Sequence, residues 1–186
     1  MLQPNQFQNN VFAMLDIETL GTRPDARIVQ ISVQAFRINS DETFPIANWN
    51  VHPFSKQNGA SVDSETFNWW SEQDPDLCWQ VMSGGDTLEY ALHGLNDYLK
   101  ETGVTMVVAN SPSFDCVIVE NAYRRMGIPN KMPKFYNWID LRTILKMADK
   151  KLPTATHNAV DDVIAQIKTM REAMDVLWKK TETTSS

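Results

Sequence analysis

Val11-Phe12-Ala13-Met14-Leu15-Asp16-Ile17-Glu18-Thr19 decides how this chain is read. A short apolar run bounded by polar residues suits a buried strand, and this one ends in two carboxylates separated by a single residue. Side chains two apart on a strand emerge from the same face. Asp16 and Glu18 would therefore stand together and repel each other unless something positive lies between them. A hard divalent cation such as Mg²⁺, which prefers oxygen ligands and keeps some of its waters, relieves that repulsion. An isolated D-x-E pair equally suits a strand running out into a loop, so its company elsewhere in the chain matters.

Outward from this strand, Gly21 to Asp25 is turn chemistry, and Arg27 to Ile38 is rich in Ile and Val, which predicts a second strand. A third is expected at Ala47 to His52, with Trp49 and Val51 on one face. Ser61 to Glu65 offers N-cap and first-turn acids to a short helix through Trp70, with a turn at Pro75. Asp86-Thr87-Leu88-Glu89 opens a helix on which Leu88, Ala91, Leu92, Leu95 and Leu99 keep the 3.6-residue period, with Gly103 as its stop. Val104 to Ala109 is continuously apolar, as parallel strands covered on both faces are. Helices are predicted at Ser113 to Met126, Asp140 to Ala148 and Ala159 to Trp178. The succession indicates a layered α/β or α+β arrangement.

The acids gather at element ends. Asn110-Ser111-Pro112-Ser113-Phe114-Asp115 puts one just beyond the buried strand, where open sheets build their sites. His157-Asn158-Ala159-Val160-Asp161-Asp162 puts a histidine at the start of the last helix and an acid about one turn inside it. Neighbours on a helix point about 100° apart, so Asp161 and Asp162 cannot serve one site equally. Asp140 reads as a helix N-cap, and neither His52 nor His93 has companions that suggest a role.

Composition bounds the rest. The 186 residues carry 17 Lys+Arg against 23 Asp+Glu, a net charge of −6, with 42% hydrophobic and 22% charged residues. These values exclude disorder, collagen-like repeats and disulfide scaffolds, and remove a broad basic face as the means of holding nucleic acid. One domain is expected over residues 11–180, between a polar leader at 1–10 and a flexible tail at 181–186. Cys78 and Cys116 lack metal or redox spacing. With no signal-like start and no long apolar run, a cytoplasmic location without membrane contact is expected.

Taken together, Asp16-Ile17-Glu18 with Thr19, Asn110 to Asp115, and H-x-A-x-x-D at His157, Ala159 and Asp162 resemble, in order, the motifs of the DEDDh 3'-5' exonucleases of the proofreading-exonuclease superfamily. The resemblance covers about Met14 to Gln166, and Trp69-Trp70 with Trp138 to Thr143 is similar to its small single-domain branch of mycobacterial-type exoribonucleases and bacteriophage exonucleases. The five-residue step from His157 to Asp162 matches the histidine subclass rather than the tyrosine one.

The resemblance implies a ribonuclease-H-like α/β fold, a mixed five-stranded sheet flanked by helices. It implies Asp16, Glu18, Asp115 and Asp162 as ligands of two Mg²⁺ or Mn²⁺ ions and His157 as general base. Two such ions can stabilise both the attacking and the leaving oxygen of a phosphoryl displacement, and an imidazole can take a proton near neutral pH. The expected partners are 3' ends of single-stranded RNA or DNA, cut to nucleoside 5'-monophosphates. Thr19, Leu20, Asn110 and Phe114 are the candidate substrate contacts, Phe114 by stacking or else as a core residue. Trp69, Trp70 and Trp79 read as packing or interface residues. A short-oligoribonucleotide hydrolase, or an accessory binding module that keeps the fold, remain alternatives, and the chain would be a monomer or homodimer.

Overall fold

Alternation along β1 (Phe12–Thr19) sets up two core layers. Ala13, Leu15 and Ile17 face one core cluster, while Phe12 and Met14 face the other. The computed structural model describes residue 7 and residues 9–183, with side chains through residue 179. β1 pairs antiparallel with β2 (Ile28–Phe36), which pairs antiparallel with β3 (Ala47–Asn50). On its other side β1 pairs parallel with β4 (Met106–Ala109), which pairs parallel with β5 (Trp138–Asp140). The result is a mixed five-stranded sheet in the order β3-β2-β1-β4-β5, flanked by helices as expected of a ribonuclease-H-like α/β fold.

The helices sort by the face they cover. α1 (Ser64–Ser71) and α2 (Pro75–Met82) lie beyond the end of β1, where Trp70 and Val81 pack with Leu20 and Val29. α3 (Leu88–Glu101) and α4 (Asp115–Met126) cover the Leu15 face with Leu88, Leu92, Leu95, Ile118 and Val119. α5 (Leu141–Met147) and α6 (Ala159–Thr183) cover the Met14 face with Leu141, Leu145, Val163, Ile167 and Met170. Burying one such aliphatic side chain stabilises the fold by about 1.5–3 kcal/mol. Gly127 ends α4 at φ 69°, the left-handed turn that glycine adopts without a Cβ clash.

Two expectations are corrected. Pro75 does not merely turn the chain; it occupies the first turn of α2, where its missing N–H costs nothing, and the Asp74 side chain caps the Asp76 N–H. Trp138 to Asp140 forms a strand before α5, too short to show alternation in sequence. α6 runs through residue 183, and residues 184–186, the rest of the expected tail, lie outside the described residues. Of the polar leader, residues 1–6 and 8 also lie outside them, while the Phe7 ring packs 5.8 Å from that of Phe12. Among the described residues no helix is long and apolar enough to cross a membrane.

Candidate active site

Asp16 and Glu18 follow Phe12 and Met14 in register, so they share the face that α6 covers. There the helix presents Asp162, one turn into its N-terminus. Asp16, Glu18 and Asp162 each offer a carboxylate oxygen, and the three oxygens lie within 4.8 Å of one another. Asp161, by contrast, faces solvent. Asp115, at the start of α4 just past the end of β4, lines the same cleft of about 470 Å³ and is buried. It is close enough that its charge acts on both Asp16 and Glu18.

The cleft holds charge at a cost. Burial, then repulsion from Asp115 and Glu18, pushes the Asp16 carboxyl well above its ordinary value, against a lowering hydrogen bond from Gln166. Burial, then Asp162 and Asp115, raises Glu18 to about 8. Burial raises Asp115 to about 7, offset by backbone N–H donors including Ser111 and by the charge of Arg142. An all-carboxylate donor set so close together, without a cation among the three, fits a hard divalent ion.

His157 also lines the cleft. Its backbone sits at φ 60°, a left-handed conformation that costs a non-glycine residue of order 1–3 kcal/mol and persists only where its surroundings impose it. Asp162 imposes it: Oδ2 accepts the His157 N–H at 3.2 Å, and Oδ1 accepts the Thr156 N–H at 2.8 Å and its hydroxyl at 2.9 Å. The imidazole packs against the Trp69 indole at 4.6 Å and 75°.

The substrate candidates divide. Asn110 and Phe114 line the cleft, although Phe114 also packs against the core cluster below α3 and α4. Thr19 and Leu20 are both buried, and neither lines the cleft. The pairing shifts register after Glu18, and such a bulge re-aims the side chains that follow it. The Thr19 hydroxyl donates to the Gly21 carbonyl at 2.6 Å, and Leu20 packs with Trp70 and Val81. Asp140 caps α5, its Oδ1 accepting the Thr143 N–H at 2.7 Å.

Sequence reasoning missed three supporting residues. Gln166, four after Asp162 and so on the same helix face, donates from Nε2 to Asp16 Oδ1 at 2.9 Å. Gln30, directly across from Glu18, accepts the Ala159 N–H at 2.9 Å and thereby holds the N-terminus of α6. Arg142, in the first turn of α5, reaches the cleft and donates to Asn110 Oδ1 at 3.2 Å. The helical spacing of Gln166 from Asp162 was a signal available in sequence; Gln30 and Arg142 carry none.

The family described as the 3'-5' exoribonuclease Rv2179c-like domain matches residues 11–174. No curated protein matches the chain significantly. Solved structures share the fold at low identity. The nuclease domain of 3'hExo, a DEDDh family member bound to rAMP, aligns with a TM-score of 0.62 and 11% identity over 89% of this chain and 92% of that one. Escherichia coli exonuclease I in complex with a 5cy-dA13 oligonucleotide aligns at 0.63 and 15% identity, over 88% and 40%. Cell-death related nuclease 4 aligns at 0.55 and 13% identity, over 90% and 64%, so the chain spans less than two thirds of these last two. With a match that runs from the first residue of the acid-bearing strand's apolar run to the last buried turns of α6, the chain belongs to the 3'-5' exoribonuclease Rv2179c-like family.

Proposed function

We propose that the cleft removes nucleotides one at a time from the 3' ends of single-stranded nucleic acid, RNA foremost, releasing nucleoside 5'-monophosphates with the help of two Mg²⁺ or Mn²⁺ ions. The observation that carries this reading is the convergence of Asp16, Glu18 and Asp162 oxygens within 4.8 Å in a cleft that His157 also lines. The exoribonuclease description of the family supports RNA. The rAMP held by the 3'hExo nuclease domain and the oligonucleotide held by exonuclease I support a monophosphate product and a single-stranded substrate.

Bound divalent cations would neutralise the acids, polarise the scissile phosphate and make water a better nucleophile. Asp16, which feels the charges of Asp115, Glu18 and Asp162, would help to hold both ions. Glu18 and Asp162 would hold one, and Asp115 the other, directly or through water. His157 would accept the proton of the attacking water. Attack at phosphorus breaks the bond to the 3'-oxygen of the preceding nucleotide, so the phosphate leaves on the 5' side of the released one. Phe114 offers a face to the terminal base or sugar, and Arg142, braced by Asn110, supplies a cation to the phosphate.

End-labelled single-stranded RNA and DNA, incubated with Mg²⁺, Mn²⁺ or EDTA, test this directly. The expected product is a metal-dependent ladder shortening from the 3' end, absent in Asp16→Ala. A folded wild-type protein that cleaves neither polymer would overturn the reading.

A further inference from the structure

Trp69 lies outside the three segments that carry the acids and the histidine, yet its ring is the neighbour of the His157 imidazole. Among the described residues, no hydrogen bond engages either imidazole nitrogen; the one hydrogen bond at His157 is made by its backbone N–H to Asp162. A general base ordinarily has a polar partner that sets its ring orientation. Here the setting falls to an aromatic edge contact, with centroids at 4.6 Å and planes at 75°.

The indole is itself anchored to the acid-bearing strand. Trp69 meets Trp70 edge-on at 5.1 Å. Trp70 is buried and donates its indole N–H to the Thr19 carbonyl at 2.9 Å. The Asp63 N–H that opens α1 donates to the Leu20 carbonyl at 2.8 Å. Two hydrogen bonds therefore tie α1 to the residues immediately after Glu18. The ring of His157 is thus referenced through Trp69, Trp70 and Thr19 to the strand that carries Asp16 and Glu18, while its backbone is referenced to Asp162. Two independent supports on one residue at positive φ leave the imidazole little freedom.

We propose that Trp69 is a positioning residue that holds the His157 imidazole in its working orientation over the carboxylate cluster; the inference rests on His157 being the general base. Thr19 and Leu20 then serve the reaction through their backbone carbonyls, as the seat of α1. Trp69 retains 36% exposure, so an alternative role as a stacking surface for a substrate base is the outcome the test must separate.

Kinetics on a single-stranded RNA would compare wild type with Trp69→Ala, Trp69→Phe, His157→Ala and the Trp69→Ala/His157→Ala double variant. A misplaced catalytic group costs on the order of 10²-fold, so Trp69→Ala is expected to lower kcat by about 10–100-fold with KM nearly constant. Trp69→Phe should recover most of it. The double variant should be no slower than His157→Ala alone, because Trp69 acts only through His157. A raised KM with unchanged kcat in Trp69→Ala, or additive losses in the double variant, would overturn the proposal. Wild-type kcat in His157→Ala would remove the base on which it rests, and is read separately from any effect at Trp69.

A second measurement needs no activity. The chain has three histidines, so imidazole resonances can be assigned and followed. Trp69→Ala should move those of His157 and leave His52 and His93 in place, with Trp69→Phe intermediate; unmoved His157 resonances would overturn the contact itself.

Discussion

Ala13, Leu15 and Ile17 on one face of β1, and Met14, Asp16 and Glu18 on the other, alternate along the same strand but meet opposite environments. The first set belongs to the apolar cluster that α3 and α4 cover. The second begins apolar beneath α6 and ends in carboxylates that burial and mutual repulsion hold above their ordinary pKa values. One face stabilises the fold, and the other consumes part of that stability to keep like charges together. The same comparison separates the neighbours Asp161 and Asp162, one in solvent and one in the cluster. It teaches that chemistry here is placed by sheet parity and by one helix turn, and is sustained by the core on the opposite face.

The largest expected effect falls on the acid face. Asp16→Asn should reduce single-stranded RNA cleavage by about 10³-fold or more, the kinetic equivalent of several kcal/mol of charge stabilisation. It should also raise the melting temperature of the metal-free protein, because a repelled carboxylate is removed. A lower melting temperature would break the contrast by making Asp16 a stabilising residue.

On the apolar face the signs reverse. Leu92→Ala, at a fully buried position on α3, should cost about 2–5 kcal/mol in chemical denaturation while leaving the kcat of the folded fraction unchanged. A large kcat loss with little loss of stability would show that the two faces are not separable.

A smaller effect appears on titration. Glu18 keeps its proton in the folded protein up to about pH 8, whereas its ordinary value is 4.5. Between these values the folded state binds more protons than the unfolded one, so the stability of the metal-free protein falls as pH rises through that window. Thermal melts in EDTA should show this, at roughly 2–4 °C for each kcal/mol lost in a chain of this length. Saturating Mg²⁺ should flatten the dependence, since binding to the folded state adds stability by mass action. Metal-free stability that instead rises from pH 6 to pH 8 would refute the repulsive reading of the cluster.

The smallest effect sharpens the contrast within α6. Asp161→Ala should change stability by no more than about 0.5 kcal/mol and leave activity at wild-type level, as an exposed surface change does. An activity loss approaching that of Asp162→Ala would mean that the helix is rotated from the orientation described.

Much of this is legible in the sequence. The apolar run into Asp16 and Glu18, the continuous strand before Asp115 and the His157-to-Asp162 spacing are local patterns, and local patterns report strand faces and helix turns. β5 is not legible because three residues cannot display a period, and α2 because Pro75, which reads as a turn, equally suits a first helical turn. Thr19 and Leu20 turn away from the cleft lining because the pairing shifts register after Glu18, and bulges leave no reliable mark in sequence.

Local pattern alone put paired acids on one strand and another acid a turn inside the start of a helix, a repulsion that a divalent cation would relieve. Only the tertiary structure decided which side chains support them: Gln166 on Asp16, Gln30 at the start of α6, Arg142 on Asn110, and Trp69 on His157. The physical reason is range. Strand alternation and helical turns are set within a few residues of chain, whereas the Gln30 to Ala159 hydrogen bond and the Trp69 to His157 contact join segments that meet only after the sheet has brought them together.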